Sequence, residues 1–279
     1  MILTPAYKPP YRISYHASNG SVRRAFWLGA EPVVVQLKQK AADAPVRAEV
    51  FSQQPVDRAA AQRAVEHIIS AEVDLTEIAG AAAGDAKMAA VVARLHGLKP
   101  LRIPDLWTTL LRSLTSQQLS GASARAIENK LASRFGRMVK VHDEDVGVLP
   151  DPATLLELTE TELRGTGLST RKAEYARSLA EHVLDGSLEF ERLRASTLEE
   201  VIDVMTTIRG VGRWTAECTA MFGLGHADVL PSGDLGIQKG IALLDRKRKL
   251  PTPAQVERRG RKWAGWRSVA AVYLWRSLD

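Results

Sequence analysis

The sequence predicts an α+β protein, in which a small N-terminal antiparallel sheet domain is followed by an all-helical core. Short runs that alternate or are rich in β-branched residues are concentrated before residue 55. From residue 75 onward, apolar residues recur at helical spacing, and residues that cap helices precede them. These observations predict a β-rich domain with covering helices at residues 1–100 and a helical core at residues 101–279.

The predicted sheet is built from four short segments, at residues 11–16, 25–28, 32–37 and 46–51. Asn19-Gly20 is a dipeptide typical of two-residue hairpin turns. Apolar residues at helical spacing follow in 56–73, and they predict a helix that covers one face of the sheet.

The helices of the core are predicted from their capping residues and from the glycines or prolines that interrupt them. Asp105 is a favoured N-cap residue and precedes an apolar-periodic stretch at 106–114. The other helices are predicted at residues 120–135, 151–163, 171–184, 198–207, 213–222, 234–244, from 253 onward and 266–278. No strand is predicted after residue 100.

Composition and charge limit the class of protein. The chain has 279 residues, of which 45% are hydrophobic and 25% charged, as in a soluble globular protein. Its net charge of +6 favours an anionic partner. The single cysteine, Cys218, excludes an internal disulfide and a multi-cysteine metal site, and the six histidines are too scattered to share a metal. The sequence has no signal-peptide pattern and no apolar run of about 18 residues, so a cytoplasmic protein without a membrane partner is expected.

The stretch Gly210-Val211-Gly212 lies between two predicted helices and is the centre of the predicted functional region. Glycine tolerates positive φ, and the second glycine opens a helix whose first N–H groups have no internal partner. Such N–H groups bind phosphate, although an ordinary helix–turn–helix corner would show the same pattern. Asp234 follows downstream, in a Gly/Pro turn that opens another helix.

These two motifs together resemble the helix-hairpin-helix DNA glycosylase superfamily. Residues 208–216, IRGVGRWTA, and 230–236, LPSGDLG, carry the resemblance, and GVGRWTA is most similar to the bacterial 3-methyladenine DNA glycosylase II family. Further matching stretches lie at residues 114–120, 167–173 and 266–268. The resemblance covers residues 100–279 well, implies a helix-hairpin-helix at 203–222, and matches the N-terminal sheet only in outline.

The resemblance implies an enzyme that hydrolyses the N-glycosidic bond of alkylated bases, of the 3-methyladenine type, in duplex DNA and so initiates base excision repair. By position, Asp234 matches the family's essential aspartate. Breaking the bond builds positive charge on the sugar, and a fixed carboxylate stabilises that charge without having to reorganise. Aspartate is also a favoured helix N-cap, and one residue can serve both purposes.

The resemblance also assigns Trp214 and Trp275 to the pocket for the flipped base, where aromatic rings stack on the base and attract a cationic one. The alternative is that both are core residues. Cys218 stands where close relatives carry a tyrosine, so one stacking wall is expected to be missing. Family members that also cut the strand place a lysine at the position of Trp214 to form a Schiff base. Neither Lys172 nor Arg213 occupies that position, so a monofunctional enzyme is expected.

DNA contacts are implied at two further places. Gln118 matches the side chain that wedges into the duplex to fill the gap left by the flipped nucleotide, and a register shift of one residue gives that role to Leu119 instead. The hairpin is expected to bind the DNA backbone through Gly210, Val211, Gly212, Arg213 and Thr215. A monovalent cation is expected when DNA is bound, on the main-chain carbonyls of Thr206, Ile208 and Val211. No organic cofactor is expected.

The implied partner is double-stranded DNA with a damaged base, bound by a monomer in the bacterial cytoplasm. The basic runs 246–249 and 258–262 fit either solvated helix faces or contacts with the duplex backbone. Two alternatives stay open. One is a non-catalytic helix-hairpin-helix DNA-binding protein, which Asp234 argues against. The other is an oxidised-base glycosylase with lyase activity, which Trp214 argues against.

Overall fold

A computed structural model describes residues 1–3, 21–41 and 44–278. Its N-terminal sheet has four antiparallel strands in the spatial order β1-β4-β3-β2. The strands are β1 (Ile2–Leu3), β2 (Ser21–Leu28), β3 (Glu31–Lys38) and β4 (Arg47–Ser52). Three of the predicted segments are thereby confirmed, whereas the strand at 11–16 and the Asn19-Gly20 turn lie outside the described residues.

The central strand β3 is buried on both faces, because its alternating side chains meet two different partners. Val33 packs in a cluster with Val65 of helix α1 (Arg58–Ile68), which confirms the predicted covering helix. Val34, the next residue, packs instead in a separate cluster with Val139. The N-terminal sheet therefore lies between a helix and a second layer of strands.

That second layer is a two-stranded hairpin, in which β5 (Arg137–Val141) pairs antiparallel with β6 (Glu144–Val148). The prediction that only helices follow residue 100 is wrong here. Val139 and Val141 are buried between exposed neighbours, the period-two pattern of a half-buried strand. His142 has φ +54 in the connecting turn, as two-residue hairpin loops require.

Helices account for most of the remaining chain, which confirms the α+β prediction. They are α2 (Leu75–Ala82), α3 (Ala86–Arg94), α4 (Leu106–Ser116), α5 (Gly121–Phe135), α6 (Pro152–Glu157), α7 (Glu160–Gly165), α8 (Thr170–Leu184), α9 (Phe190–Ala195), α10 (Leu198–Thr206), α11 (Arg213–Thr219), α12 (Leu235–Leu244), α13 (Pro253–Gly260) and α14 (Arg267–Arg276). The single helix predicted at 151–163 is two helices, because Thr159 starts α7 with a capping box to Glu162. A π-helical turn at Ala220–Leu224 follows α11. No helix in the described ranges is long and apolar enough to cross a bilayer.

Helix α4 lies at the centre of the main core and is buried on nearly all sides. Its N-cap Asp105 accepts the backbone N–H of Thr108 at 2.7 Å and that of Trp27, in β2, at 3.2 Å. Burial raises the pKa of the Asp105 carboxyl to about 6. The sheet is thus joined to the start of α4. Side chains of α2 and α3 also belong to the main core, and a domain division at residue 100 stays a prediction.

Candidate active site

Residues 207–212 connect α10 to α11 in a tight turn. The N–H of Val211 donates to the carbonyl of Ile208 at 3.0 Å, and Gly210 has φ +90, a value that favours glycine. The side chain of Val211 is buried in the main core, which holds the hairpin from inside. Gly212 is the N-cap of α11 and has no side chain with which to cap it, so the first N–H groups of α11 have no partner within the helix.

Gly210 lies directly against the ring of Tyr175 in α8. A Cβ atom at this glycine would lie 2.1 Å from Tyr175 Cγ, so a side chain here has to displace the ring. We expect Gly210→Ala to lower the free energy of unfolding by about 2–4 kcal/mol, because overpacking adds to the strain of positive φ. Thermal or denaturant unfolding measures this loss.

Gly186→Ala is the matched control for that prediction. Gly186 has φ +77, but nothing lies within 4 Å of the position that its Cβ would take. We expect this variant to lose about 1 kcal/mol, from backbone strain alone. If the two variants lost the same free energy of unfolding, the contact of Gly210 with Tyr175 would not contribute to the cost of the substitution.

Gln117, which sequence reasoning did not single out, joins the hairpin to the end of α4. Its Nε2 donates to the carbonyl of Gly210 at 3.0 Å and to the hydroxyl of Thr215 at 2.8 Å. Thr215 is only 1% exposed and its hydroxyl already accepts from Gln117, so the structure does not support the predicted DNA contact through its side chain. Lys172 Nζ donates to the carbonyls of Thr115 and Gln117, at 2.8 and 2.7 Å, and so caps the end of α4.

The turn between α4 and α5 exposes both candidate wedge residues. The N–H of Leu119 donates to the carbonyl of Ser116 at 3.2 Å. Gln117, at φ −53 and ψ 126, and Gln118, at φ +55, give this turn type II geometry. Glycine is the usual residue at the position of Gln118, so a longer side chain is held there under strain. Gln118 is exposed, and Leu119 is 42% exposed.

The side chain of Arg213, a predicted DNA contact, is held by two carboxylates. It donates to Glu217 Oε1 at 3.0 Å and to Glu199 Oε1 at 3.1 Å. Glu217 is buried, and burial raises the pKa of its carboxyl to about 7. Glu199 is exposed, so a DNA phosphate could replace it as a partner of the guanidinium while Glu217 stays in place.

Asp234 is the N-cap of α12, and three N–H groups converge on its carboxylate. Oδ1 accepts the backbone N–H of Ile237 at 2.8 Å and the indole N–H of Trp275 at 2.8 Å. Oδ2 accepts the indole N–H of Trp214 at 2.8 Å. These three donors are neutral, so they orient the carboxylate without cancelling its charge. Asp234 can therefore serve both as the N-cap of α12 and as a charged group in the cavity.

A cavity of about 350 Å³ opens beside this carboxylate, within the range of small-ligand sites. Trp214, Trp275 and Phe222 form its aromatic wall, and the rings of Phe222 and Trp275 stack with centroids 5.9 Å apart. Cys218 also lines the cavity, and burial raises the pKa of its thiol, which stays neutral. Sequence reasoning missed Phe222 and also missed the polar residues that α4 contributes, Thr109, Arg112, Ser113 and Ser116.

The predicted site residues occupy one continuous region. Asp234, Trp214, Trp275 and Cys218 meet at the cavity. The wedge turn and the hairpin line an adjoining open groove that also reaches Asp234. A ligand that lies along this groove can contact both elements while one of its groups enters the cavity.

The carbonyls expected to hold a cation, those of Thr206, Ile208 and Val211, all belong to the hairpin and its approach. Ile208 already accepts the N–H of Val211, and a carbonyl oxygen has a second lone pair for another partner. Among the residues that the structure describes, no group of three or more His, Cys, Asp or Glu side chains could hold a metal ion. A cation at the hairpin would therefore depend on main-chain ligands.

A glycine hairpin between two helices lies on the same groove as a helix-capping aspartate beside an aromatic cavity, which is a helix-hairpin-helix arrangement. Residues 111–265 match the HhH-GPD superfamily base excision DNA repair protein, and the chain belongs to this family. The predicted superfamily is confirmed.

Among its relatives, DNA-3-methyladenine glycosylase 1 of Schizosaccharomyces pombe is 35% identical over 172 residues, which cover 60% of this chain and 70% of the relative. The structure of Schizosaccharomyces pombe 3-methyladenine DNA glycosylase in complex with abasic DNA has a TM-score of 0.65 and 30% identity, and covers 72% of this chain and 96% of that one. The 3-methyladenine DNA glycosylase from Archaeoglobus fulgidus shares the fold, with a TM-score of 0.80 and 24% identity over 93% of this chain and 87% of that one.

Proposed function

We propose that this protein is a monofunctional DNA glycosylase that hydrolyses the N-glycosidic bond of alkylated bases in duplex DNA. The observation that carries the proposal is the Asp234 carboxylate, oriented by two indole N–H groups beside the cavity. Relatives named as 3-methyladenine glycosylases support this substrate class. The products are the free base and an abasic site, with which base excision repair begins.

The reaction requires stabilisation of positive charge on the sugar. As the bond between C1′ and the base breaks, its electron pair leaves with the base and the sugar takes on oxocarbenium character. Asp234 carries its negative charge in a fixed orientation, so it stabilises this charge without a cost of reorganisation. In this proposal the same carboxylate also orients the water whose oxygen bonds to C1′.

The aromatic wall accounts for the binding of an alkylated base. Trp214, Trp275 and Phe222 offer rings against which a flipped base can stack. An N-methylated purine is electron-poor or cationic, and a ring face adds about 0.5–2 kcal/mol of cation–π attraction. Cys218 contributes a small neutral side chain, so this part of the cavity has more room than an aromatic residue would leave.

The reaction is proposed to stop at the abasic site. Strand cleavage by a glycosylase needs an amine that forms a Schiff base with the sugar. The indole of Trp214 offers none, and the amine of Lys172 is bound to the main-chain carbonyls that end α4. We expect purified protein to leave abasic DNA uncut at neutral pH. A covalent adduct trapped by borohydride would contradict the monofunctional assignment.

DNA is proposed to lie along the groove shared by the wedge turn and the hairpin. Main-chain N–H groups of Gly210, Gly212 and the first turn of α11 would hold a phosphate, and the carbonyls of Thr206, Ile208 and Val211 would hold a bridging monovalent cation. One chain supplies the hairpin, the wedge and the carboxylate, so a monomer suffices. Because the proposed substrate is chromosomal DNA, we infer that the protein acts in the bacterial cytoplasm, where the chromosome lies.

Gln118→Gly separates the stability of the wedge turn from its proposed function. Glycine adopts positive φ without strain, so we expect the free energy of unfolding to rise by about 0.5–1 kcal/mol. The same change removes the wedge, so base release under single-turnover conditions is expected to slow roughly tenfold, because flipping a base costs a few kcal/mol. Leu119→Ala is the comparison: if it slows release and Gln118→Gly does not, Leu119 is the wedge.

Mass spectrometry of the bases released from methylated duplex DNA tests the proposed function. We expect 3-methyladenine among the products when the purified protein acts without any organic cofactor. DNA binding without release of any base would favour the non-catalytic alternative. Release of oxidised bases alone, from oxidised DNA, would favour the glycosylase/lyase alternative.

A further inference from the structure

One wall of the cavity, formed by α4, is polar. Thr109, Ser113 and Ser116 recur at intervals of four and three residues, so they lie on one face of the helix. All three line the cavity that Asp234 and the aromatic rings also line. A base in this cavity is therefore within reach of hydroxyl groups as well as ring faces.

Ser113 is buried on this wall without a hydrogen-bond partner. Thr109 Oγ1 donates to the carbonyl of Asp105 at 2.7 Å and is satisfied. Ser113 is only 9% exposed, yet its hydroxyl forms no hydrogen bond with any residue that the structure describes. A helical serine can bond to a carbonyl one turn back, whereas the Ser113 hydroxyl lies on the cavity wall and makes no such bond. A ligand in the cavity can supply the missing partner.

In the proposed reaction, the charge on the departing base depends on whether the damaged base is cationic or uncharged. When the bond to C1′ breaks, both of its electrons stay on the base nitrogen. A cationic base then leaves as a neutral molecule. An uncharged base leaves with a negative charge, until the proton released by the attacking water reaches it. A hydrogen bond donated to the base becomes stronger as this negative charge develops, so it lowers the barrier selectively for the uncharged base.

We propose that the Ser113 hydroxyl donates a hydrogen bond to the departing base and thereby speeds the release of uncharged damaged bases, such as deaminated purines, relative to that of cationic ones. The ring nitrogens and the carbonyl oxygen of such a base are acceptors that suit a hydroxyl donor. Arg112 lines the same cavity but is ion-paired with Glu128 at 3.1 Å, so the proposal depends on the Ser113 hydroxyl. The inference rests on the proposed glycosylase function and assigns one residue of that site to substrate choice.

The test compares two substrates with two variants. Single-turnover release of hypoxanthine, which is uncharged, and of 7-methylguanine, which is cationic, is measured from duplexes of otherwise identical sequence. In Ser113→Ala we expect the ratio of the hypoxanthine rate to the 7-methylguanine rate to fall roughly 10- to 100-fold. Ser133→Ala, which changes an exposed serine of α5, is the matched control and is expected to leave both rates unchanged. Ser113→Thr restores a hydroxyl and is expected to recover most of the ratio.

The outcomes separate this inference from the function on which it rests. An unchanged ratio in Ser113→Ala overturns the proposal, and so does failure of Ser113→Thr to recover it, since loss of packing would then explain the effect. Release of 7-methylguanine but not hypoxanthine by the wild-type protein also overturns it, while the proposed function stands. Release of no methylated base at all would refute the proposed function itself.

Discussion

Asp234→Asn is expected to slow the release of 3-methyladenine from duplex DNA by roughly 100- to 1,000-fold. The neutral amide cannot stabilise the positive charge that develops on the sugar. Asparagine is as good an N-cap as aspartate, so the start of α12 is expected to persist. Single-turnover release at saturating enzyme measures the chemical step separately from DNA binding.

Two controls make this result interpretable. Asp234 Oδ2 accepts the indole N–H of Trp214, and an amide nitrogen in its place would face another donor, so unfolding temperatures are compared as well. Asp143→Asn makes the same chemical change at an exposed aspartate between β5 and β6 and is expected to keep the wild-type rate. Release by Asp234→Asn at the wild-type rate would remove the carboxylate from the mechanism.

Trp214→Phe and Trp275→Phe are expected to give the second largest effect. Each keeps an aromatic ring in the cavity but removes one of the two indole N–H groups that hold the carboxylate. A hydrogen bond to a charged group contributes about 1.5–3 kcal/mol, so each variant is expected to release base roughly 10- to 100-fold more slowly. DNA affinity, measured by fluorescence anisotropy, is expected to change much less than the rate.

Trp27→Phe is the matched control for the indole variants. Its Nε1 donates to the carbonyl of Leu149 at 2.9 Å, where the N-terminal sheet meets the core, so the substitution removes an indole hydrogen bond away from the cavity. We expect some loss of stability and no change in the chemical step. If Trp214→Phe and Trp275→Phe also kept the wild-type rate, orientation of Asp234 by the indoles would not matter for catalysis.

The fold was predictable where the signal is local and not where it depends on a distant partner. Alternation and β-branching predicted β2, β3 and β4, and capping residues predicted most helices. The hairpin β5–β6 was missed, although Val139 and Val141 alternate with polar residues, because its buried face meets Val34 of a strand about a hundred residues earlier in the chain. The break at Thr159 was missed although Thr159 and Glu162 are a local capping-box signal, because apolar residues continue on both sides of it.

In the candidate site, too, single residues were predictable from local motifs, whereas the contacts between them were not. Asp234, Trp214 and Trp275 were singled out one by one, from motif positions, but nothing local predicts that both indoles bind the carboxylate. Gln117 has the same side chain as its neighbour Gln118, and only the meeting of α4 with a hairpin 93 residues later gives it a distinct contact. Such contacts depend on tertiary packing, which periodicity and capping do not encode.

The amide of Gln117 links the two elements that are proposed to contact DNA. Because it bonds to both Gly210 and Thr215, movement of the turn that would enter the duplex requires these bonds to the hairpin to break. Under the roles proposed for these two elements, the two hydrogen bonds favour one distance between the bound phosphate and the base pair beside the wedge.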